Sequence, residues 1–404
     1  MATGSGYSNR PPVRDWLEDF DHTDPNWTDD PYPIWAQMRA ARPIVHTERF
    51  LGCYMPTTYE AVRQIAHDTE HFSSRRIIVQ DARLEIKHPA PPITSDPPEH
   101  KPAKQILLPL FRPDVIAGLE PKLRAICNTL IDAFIDEQQC DAAQQYANHL
   151  SVRTLAHMMG FPDSDGDLFI RWIHEFLVLG ITDQGALVRA FCEMNDYFAG
   201  HIERRRVRPG NDLISAFLNI KDEHGRALSY PNILGSLRLL LIAGIDTTWS
   251  AIGASLWHLA KMPADRAQLI ATPALIPTAV EELLRAYSPV TMAREVIKDT
   301  VVSGCPVKAG NMVLLSFPAA NRDPAVFPDP DKVVLDRKEN RHIAFGVGIH
   351  RCIGSHLARL EMTIALQEWL KRIPNFWLRP SSQVTWSEGT VRGPRHLPVV
   401  FHPQ

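Results

Sequence analysis

His342-Ile343-Ala344-Phe345-Gly346-Val347-Gly348-Ile349-His350-Arg351-Cys352-Ile353-Gly354 runs directly into a helical pattern that starts at Ser355. The cysteine therefore falls in a glycine-rich loop just ahead of a helix N-terminus. Free backbone N–H groups and the positive end of the helix favour a thiolate there over a thiol. Gly346, Gly348 and Gly354 let the backbone approach a flat ligand or take up positive φ, and Phe345 is placed to shield one side of the sulfur. A thiolate held in this way suits a soft or borderline metal. For such a cysteine in isolation, the alternative is a buried structural residue beside a tight turn. A dinucleotide-binding loop is excluded, because Gly346-x-Gly348 is followed three residues later by Arg351 and not by a third glycine.

The other cysteines, Cys53, Cys127, Cys140, Cys192 and Cys305, form no CxxC pair. Neither a zinc ribbon nor a thioredoxin-type motif is available, and each reads as a small buried hydrophobe. The 404 residues carry a formal net charge of −3, with 45% hydrophobic and 22% charged residues. This lacks the basic excess of an electrostatic nucleic-acid binder. It is the composition of a globular chain large enough to enclose a cavity. Residues 1–30 are polar and proline-rich, predict an irregular segment, and hold no apolar core of signal-peptide length. The longest apolar run, Leu239 to Ile245, is far short of the ~20 residues of a membrane span. A cytoplasmic protein with no membrane or nucleic-acid partner is expected.

Outward from the cysteine loop, helical spacing dominates from Arg112 to Arg285, for example over Val115–Ile135, Leu150–Met159, Ile170–Leu179 and Ala186–Arg206. The longest candidate helix runs from Ser229 to Lys261, with Ser229 as its cap, Pro231 in its first turn and Pro263 beyond its end. It is apolar on all sides over Leu239–Ile245, the pattern of a helix buried through the centre. Strand signals are short: Val301–Val302 with Val307, Val313–Ser316, and Val399–Phe401, with Gly304, Gly310 and Asn311 as turn residues. Pro324 to Gly354 reads as a long irregular loop, a feature that compact domains usually keep for function. The expectation is a mainly α protein with small β-sheets at its margins.

Phe345-x-x-Gly348-x-His350-x-Cys352-x-Gly354 resembles the haem-binding signature of the cytochrome P450 family, with every position filled. The resemblance extends from about Asp96 to the C-terminus. It implies a single domain over residues 1–404 with haem b held between the long central helix and the cysteine loop. Cys352 would be the axial ligand whose thiolate pushes electron density into the iron.

Three upstream motifs fit the same reading. Ala243-Gly244-Ile245-Asp246-Thr247-Thr248 places side chains that compete for backbone bonds inside a helix. In bland terms Thr247 bonds back to a carbonyl and Asp246 meets solvent or a cation. By resemblance, Gly244 allows a groove for O2, Ala243 lies against the haem and the substrate pocket, Asp246 relays protons from bulk water, and Thr247 presents a hydroxyl to the O2 site. Glu282-Leu-Leu-Arg285 resembles the family's Glu-x-x-Arg motif, with Arg337 completing a structural triad. The same spacing at Glu60/Arg63, Glu203/Arg206 and Glu223/Arg226 reads as surface pairing. Asp96-Pro97-Pro98-Glu99-His100-Lys101-Pro102-Ala103-Lys104 resembles the segment whose helix meets a haem propionate. His100 and Lys104, with Arg294 and His350, would bind the propionates. The family usually carries arginine where Lys104 stands, so the charge is kept and the bidentate fork is lost.

The resemblance further implies a soluble, bacterial-type, monomeric monooxygenase that inserts one atom of O2 into a small or medium hydrophobic substrate. Leu240, Val290, Thr291, Met292, Thr390 and Val391 would line the pocket, with Phe176 and Leu179 as its roof and Arg83 as a remote anchor. No flavin or nicotinamide segment follows Cys352, so a separate ferredoxin and its reductase would supply electrons. Lys101, Arg112, Arg351 and Arg359 are candidate docking cations. A peroxide-driven enzyme and a non-catalytic haem sensor are the alternatives; the Asp246-Thr247 pair argues against both.

Overall fold

The computed structural model describes residues 10–79, 90–177, 179–181, 183–221 and 225–402. Arg83 and Glu223 lie outside them. The helix Tyr230–Lys261 is the organising element. Ser229 caps it by accepting the Asn232 N–H, and Pro231 sits in the first turn, where a missing N–H costs nothing. Ile233, Leu237, Leu240, Leu241 and Ile245 pack with the helices His149–Met159, Gly166–Leu177 and Gln184–Val207. Ile252, Leu256 and Leu259 pack with Glu120–Asp132, Ile276–Ala286 and Ser355–Arg372. By length and composition this helix could cross a membrane, but 72% of its apolar window is buried inside the protein.

The sheets are small and peripheral to this helical body. One has the strand order Ile44–Thr47, Cys53–Pro56, Met312–Ser316, Thr291–Val296, Phe72–Ser73. The second and third of these strands are parallel, and the other neighbours are antiparallel. Another has the order Gln139–Asp141, Pro398–His402, Asn375–Leu378. Thr300–Val302 and Cys305–Val307 form a hairpin whose turn places Ser303 and Gly304 at φ 47 and 81.

Two local expectations are corrected. The N-terminal stretch is not irregular throughout: Asp24 accepts the Asn26 N–H at 2.9 Å and starts a short helix, Pro25–Asp29. The single helix expected over Val115–Ile135 is two, Pro113–Ala117 and Glu120–Asp132. Pro121 is tolerated at the start of the second because its missing N–H would be unpaired there in any case. The expectation missed Thr291–Val296, whose Arg294 and Glu295 interrupt the apolar signal.

Between Pro324 and Gly354 the chain has neither α-helix nor strand, only a 3-10 turn at Gly348–His350. Its anchor is Glu282, which is fully buried with Arg285. Arg285 donates to both Glu282 oxygens at 2.8 Å. Arg337 adds a third charged contact at 2.9 Å, and the Val334 N–H donates at 2.9 Å. Arg285 also donates to the carbonyls of Asn321, Pro330 and Lys332. The Glu60–Arg63 and Glu203–Arg206 pairs have the same spacing but lie on the surface.

Glu282→Gln leaves two guanidinium groups without their counter-charge in the core, a loss of about 3–5 kcal/mol. Thermal unfolding should show a large drop in Tm for Glu282→Gln and none for Glu60→Gln. Equal effects would deny the triad its anchoring role.

Candidate active site

Two glycines shape the cysteine loop. Gly346 and Gly348 sit at φ 67 and 72, and a Cβ on Gly348 would come within 2.6 Å of the Ala66 carbonyl oxygen. Gly354 takes an ordinary φ of −80 as the residue preceding Ser355–Arg372, so its value is not positive φ. The Cys352 N–H donates to the Phe345 carbonyl at 2.8 Å. The Cys352 side chain lies deep in the protein yet keeps accessible surface. Burial pushes its thiol up; the Gly354 N–H donated to the sulfur and the charges of Lys104, Arg351 and Arg359 act in the opposite direction.

Phe345 is braced from behind. The Arg359 guanidinium lies 4.5 Å from its ring centroid and holds Glu281 at 2.6 and 2.8 Å. His342 reaches the same carboxylate at 3.1 Å. Burial works to raise the Glu281 pKa, but these partners overcome it and hold the carboxyl at about 2. Glu281 had no separate signal in the sequence beyond standing next to Glu282. Arg359 is thus committed to an internal ion pair, and Arg112 pairs with Asp114 at 3.0 Å. Neither is the free docking cation expected. Lys101 and Arg351 are exposed.

Beside this loop the structure collects basic side chains. Arg294 is 5% exposed, and its guanidinium donates to the carbonyl of Ala293 at 2.7 Å. His100 is 4% exposed, and its Nε2 is buried without a partner. Its ring meets that of His350 edge-on, with centroids 4.4 Å apart. His350 Nε2 bonds to Ser74 Oγ at 2.8 Å. Burial lowers the His350 pKa to about 3, and Arg294, His100 and Lys104 add to the shift. Burial likewise lowers Arg294 to about 10, with Asp96 the charge opposing it. Asp96 fixes the neighbouring chain by accepting from Ser73 Oγ at 2.5 Å and the Ser74 N–H at 2.7 Å. Lys104 departs from expectation. Its ammonium sits on the cysteine loop, donating to the carbonyls of Ile349 and Arg351.

The central helix opens on one face. Among its buried neighbours, Ala243 is exposed, and Gly244 and Thr247 are half-buried. These positions lie on one side of a helix. The Thr247 hydroxyl donates to the Ala243 carbonyl at 2.7 Å, the back-bond of the bland reading. A Cβ at Gly244 would stand 3.3 Å from Leu155, so the missing side chain also permits close packing against His149–Met159. Asp246 is 2% exposed. One carboxylate oxygen meets Arg395 at 2.7 Å, and the other is buried without a partner. The Arg395 guanidinium also lies 4.2 Å from the Trp249 ring centroid. Burial raises the Asp246 pKa against the pull of Arg395 and His174. Arg395 lies 149 positions along the chain, and no spacing in the sequence points to it.

Of the expected pocket residues, two groups meet. The Thr291 N–H donates to the Thr390 carbonyl at 2.8 Å, and Val290 bridges Val391. Leu240 is buried, and Met292 and Phe176 pack partly buried against apolar clusters. Leu179 is 39% exposed, a surface position and not a closed roof.

A model of the cytochrome P450 family matches residues 185–385. The mycinamicin IV hydroxylase/epoxidase of Micromonospora griseorubida is 35% identical over 91% of this chain and 94% of its own length. The chain belongs to the cytochrome P450 family. The vitamin D(3) 25-hydroxylase of Pseudonocardia autotrophica is 32% identical over 93% of this chain and 94% of its own length. The solved structure of CYP101J2 superposes with a TM-score of 0.87 at 29% identity, covering 98% of this chain and all of that one. This P450 is a monooxygenase that works on an organic substrate and O2, and its cofactor is haem b with a cysteine thiolate ligand. The donor set fits that group: an accessible deep sulfur, with a buried guanidinium and an orphaned imidazole nitrogen nearby that suit two carboxylates.

The Asp246–Arg395 pair makes a pH-dependent prediction. The folded pKa of Asp246 lies above its unfolded value, so this group withdraws stability as pH rises through that window. Arg395→Ala should widen the window. The loss of Tm against wild type should be greater at neutral to alkaline pH than in acid, where the raised pKa lets Asp246 take up its proton. A pH-independent loss would show that Arg395 acts by packing alone.

Proposed function

We propose that residues 1–404 act as one haem-thiolate monooxygenase unit in which Cys352 is the iron ligand. The observation that carries this is the buried group of Arg294, His100 and His350 beside the cysteine loop. A desolvated guanidinium with no carboxylate in its hydrogen-bond set is costly on its own. Two propionates would supply the missing charge and accept from the orphaned His100 nitrogen. When bound, haem supplies the activation of O2 and the insertion of one oxygen atom into the substrate.

The chain's own residues orient, exclude water and move protons. Asp246 takes protons inward when Arg395 swings away, and the Thr247 hydroxyl carries them to the open face beside Ala243. Gly346 and Phe345 shelter the sulfur. Val290, Thr291, Met292, Thr390, Val391 and Leu240 form an apolar wall that orients a small or medium hydrophobic substrate. The relative named for vitamin D(3) hydroxylation supports that class. Electrons come from a ferredoxin and its reductase, docking near Lys101 and Arg351. Among the described residues the one helix of membrane-spanning length is mostly buried inside the protein, which fits a chain that does not cross a membrane; cytoplasmic location and a monomeric state are part of the proposal.

Two measurements test this reading. Cys352→Ala should remove the red-shifted Soret band of the CO-bound ferrous protein; a retained band would move the ligand elsewhere. Thr247→Ala, assayed with NADPH and surrogate redox proteins, should keep consuming NADPH while diverting most of it to hydrogen peroxide. Unchanged coupling would remove Thr247 from proton delivery.

A further inference from the structure

His100 and Lys104 lie one turn apart on the helix His100–Leu107, yet their side chains part company. The His100 ring turns to His350. The Lys104 ammonium donates to the main-chain carbonyls of Ile349 and, at 2.9 Å, Arg351. Both belong to the turn that delivers Cys352. Lys104 is partly buried there, and its charge and that of the Cys352 sulfur act on each other.

The residue type matters. A guanidinium is a planar fork matched to a carboxylate, whereas an ammonium is a compact charge with three donors that can serve separate carbonyls. Lysine at this position can therefore do what arginine does poorly. It can hold two carbonyls of one irregular turn and keep a positive charge beside the ligand sulfur. A cation there withdraws electron density from the sulfur and favours the electron-richer ferrous state. Potentials of thiolate-bound haem respond to contacts of this kind.

We propose that Lys104 is a positioning residue for the proximal ligand: it pins the turn ahead of Cys352 and sets the reduction potential of the bound haem more positive. The proposal rests on Cys352 being the iron ligand.

The test compares holoenzyme of wild type, Lys104→Met and Lys104→Arg. Equilibrium redox titration should show a more negative potential for Lys104→Met, with Lys104→Arg nearer to wild type. The red-shifted CO band should decay several-fold faster in Lys104→Met, while haem transfer to an acceptor apoprotein stays close to wild type. Unchanged potential and band lifetime in Lys104→Met overturn the proposal. Faster haem transfer with an unchanged potential also overturns it and returns Lys104 to the propionates. A wild-type protein that lacks the red-shifted band would instead sink the assignment of Cys352, a separate result.

Discussion

An irregular backbone can run through a protein core only if its polar groups find partners other than a helix or sheet ladder. The segment from Pro324 to Gly354 lives under that constraint, and much of the molecule serves it. Arg285 and Arg337 donate to carbonyls along its first half while both hold Glu282. Asn321 accepts the Ile343 N–H at 2.8 Å. Within the second half the loop partners itself, Gly346 N–H to Ile343 and Cys352 N–H to Phe345. Lys104 satisfies the carbonyls that remain near the sulfur. The buried triad is far from an inert motif, because its cost in desolvated charge is offset by fixing where one sulfur points.

The two sides of the site are built on opposite electrostatic terms. On the cysteine side, basic groups gather with little negative charge near them, and burial depresses Arg294 and His350. A dianionic ligand would be held there by charge-assisted bonds in a poorly screened setting. On the central helix one carboxylate faces one cation. Asp246 is buried with a single cation and one empty oxygen. A carboxylate held that way changes protonation more readily than one with several donors. Glu281 is the contrast: three bonds from two partners keep it ionised, and it works as a brace.

Much of this was legible in the sequence because it depends on local spacing. The central helix follows from its cap, its proline and its apolar run. The cysteine loop follows from glycines whose positive φ the structure uses at Gly346 and Gly348. Glu282 and Arg285 are one helical turn apart and could be paired on paper. What escaped depends on where distant segments meet. Arg395 reaches Asp246 from a C-terminal strand, Asp96 organises Ser73 and Ser74, and Arg359 is taken by Glu281. No periodicity encodes such pairings. Gly244 shows the same limit: a Cβ there would press on Leu155 of another helix, a packing role that no spacing announces.

The turn from Ala243 to Thr247 shows why bland and functional readings need not compete. Thr247 bonds back to Ala243, as an interior threonine should, and this satisfies its proton when nothing else is near. The bond also fixes the rotamer that keeps Oγ1 on the accessible side of the helix. Asp246, one residue earlier, points about 100° away toward Arg395. Adjacent residues on one helix thus face two environments, one open and one enclosed. The relay proposed above would link these two environments through neighbouring residues. A helix is well suited to this task because its own hydrogen bonds are already satisfied. It can present a hydroxyl to a cavity and a carboxylate to the core without loosening either.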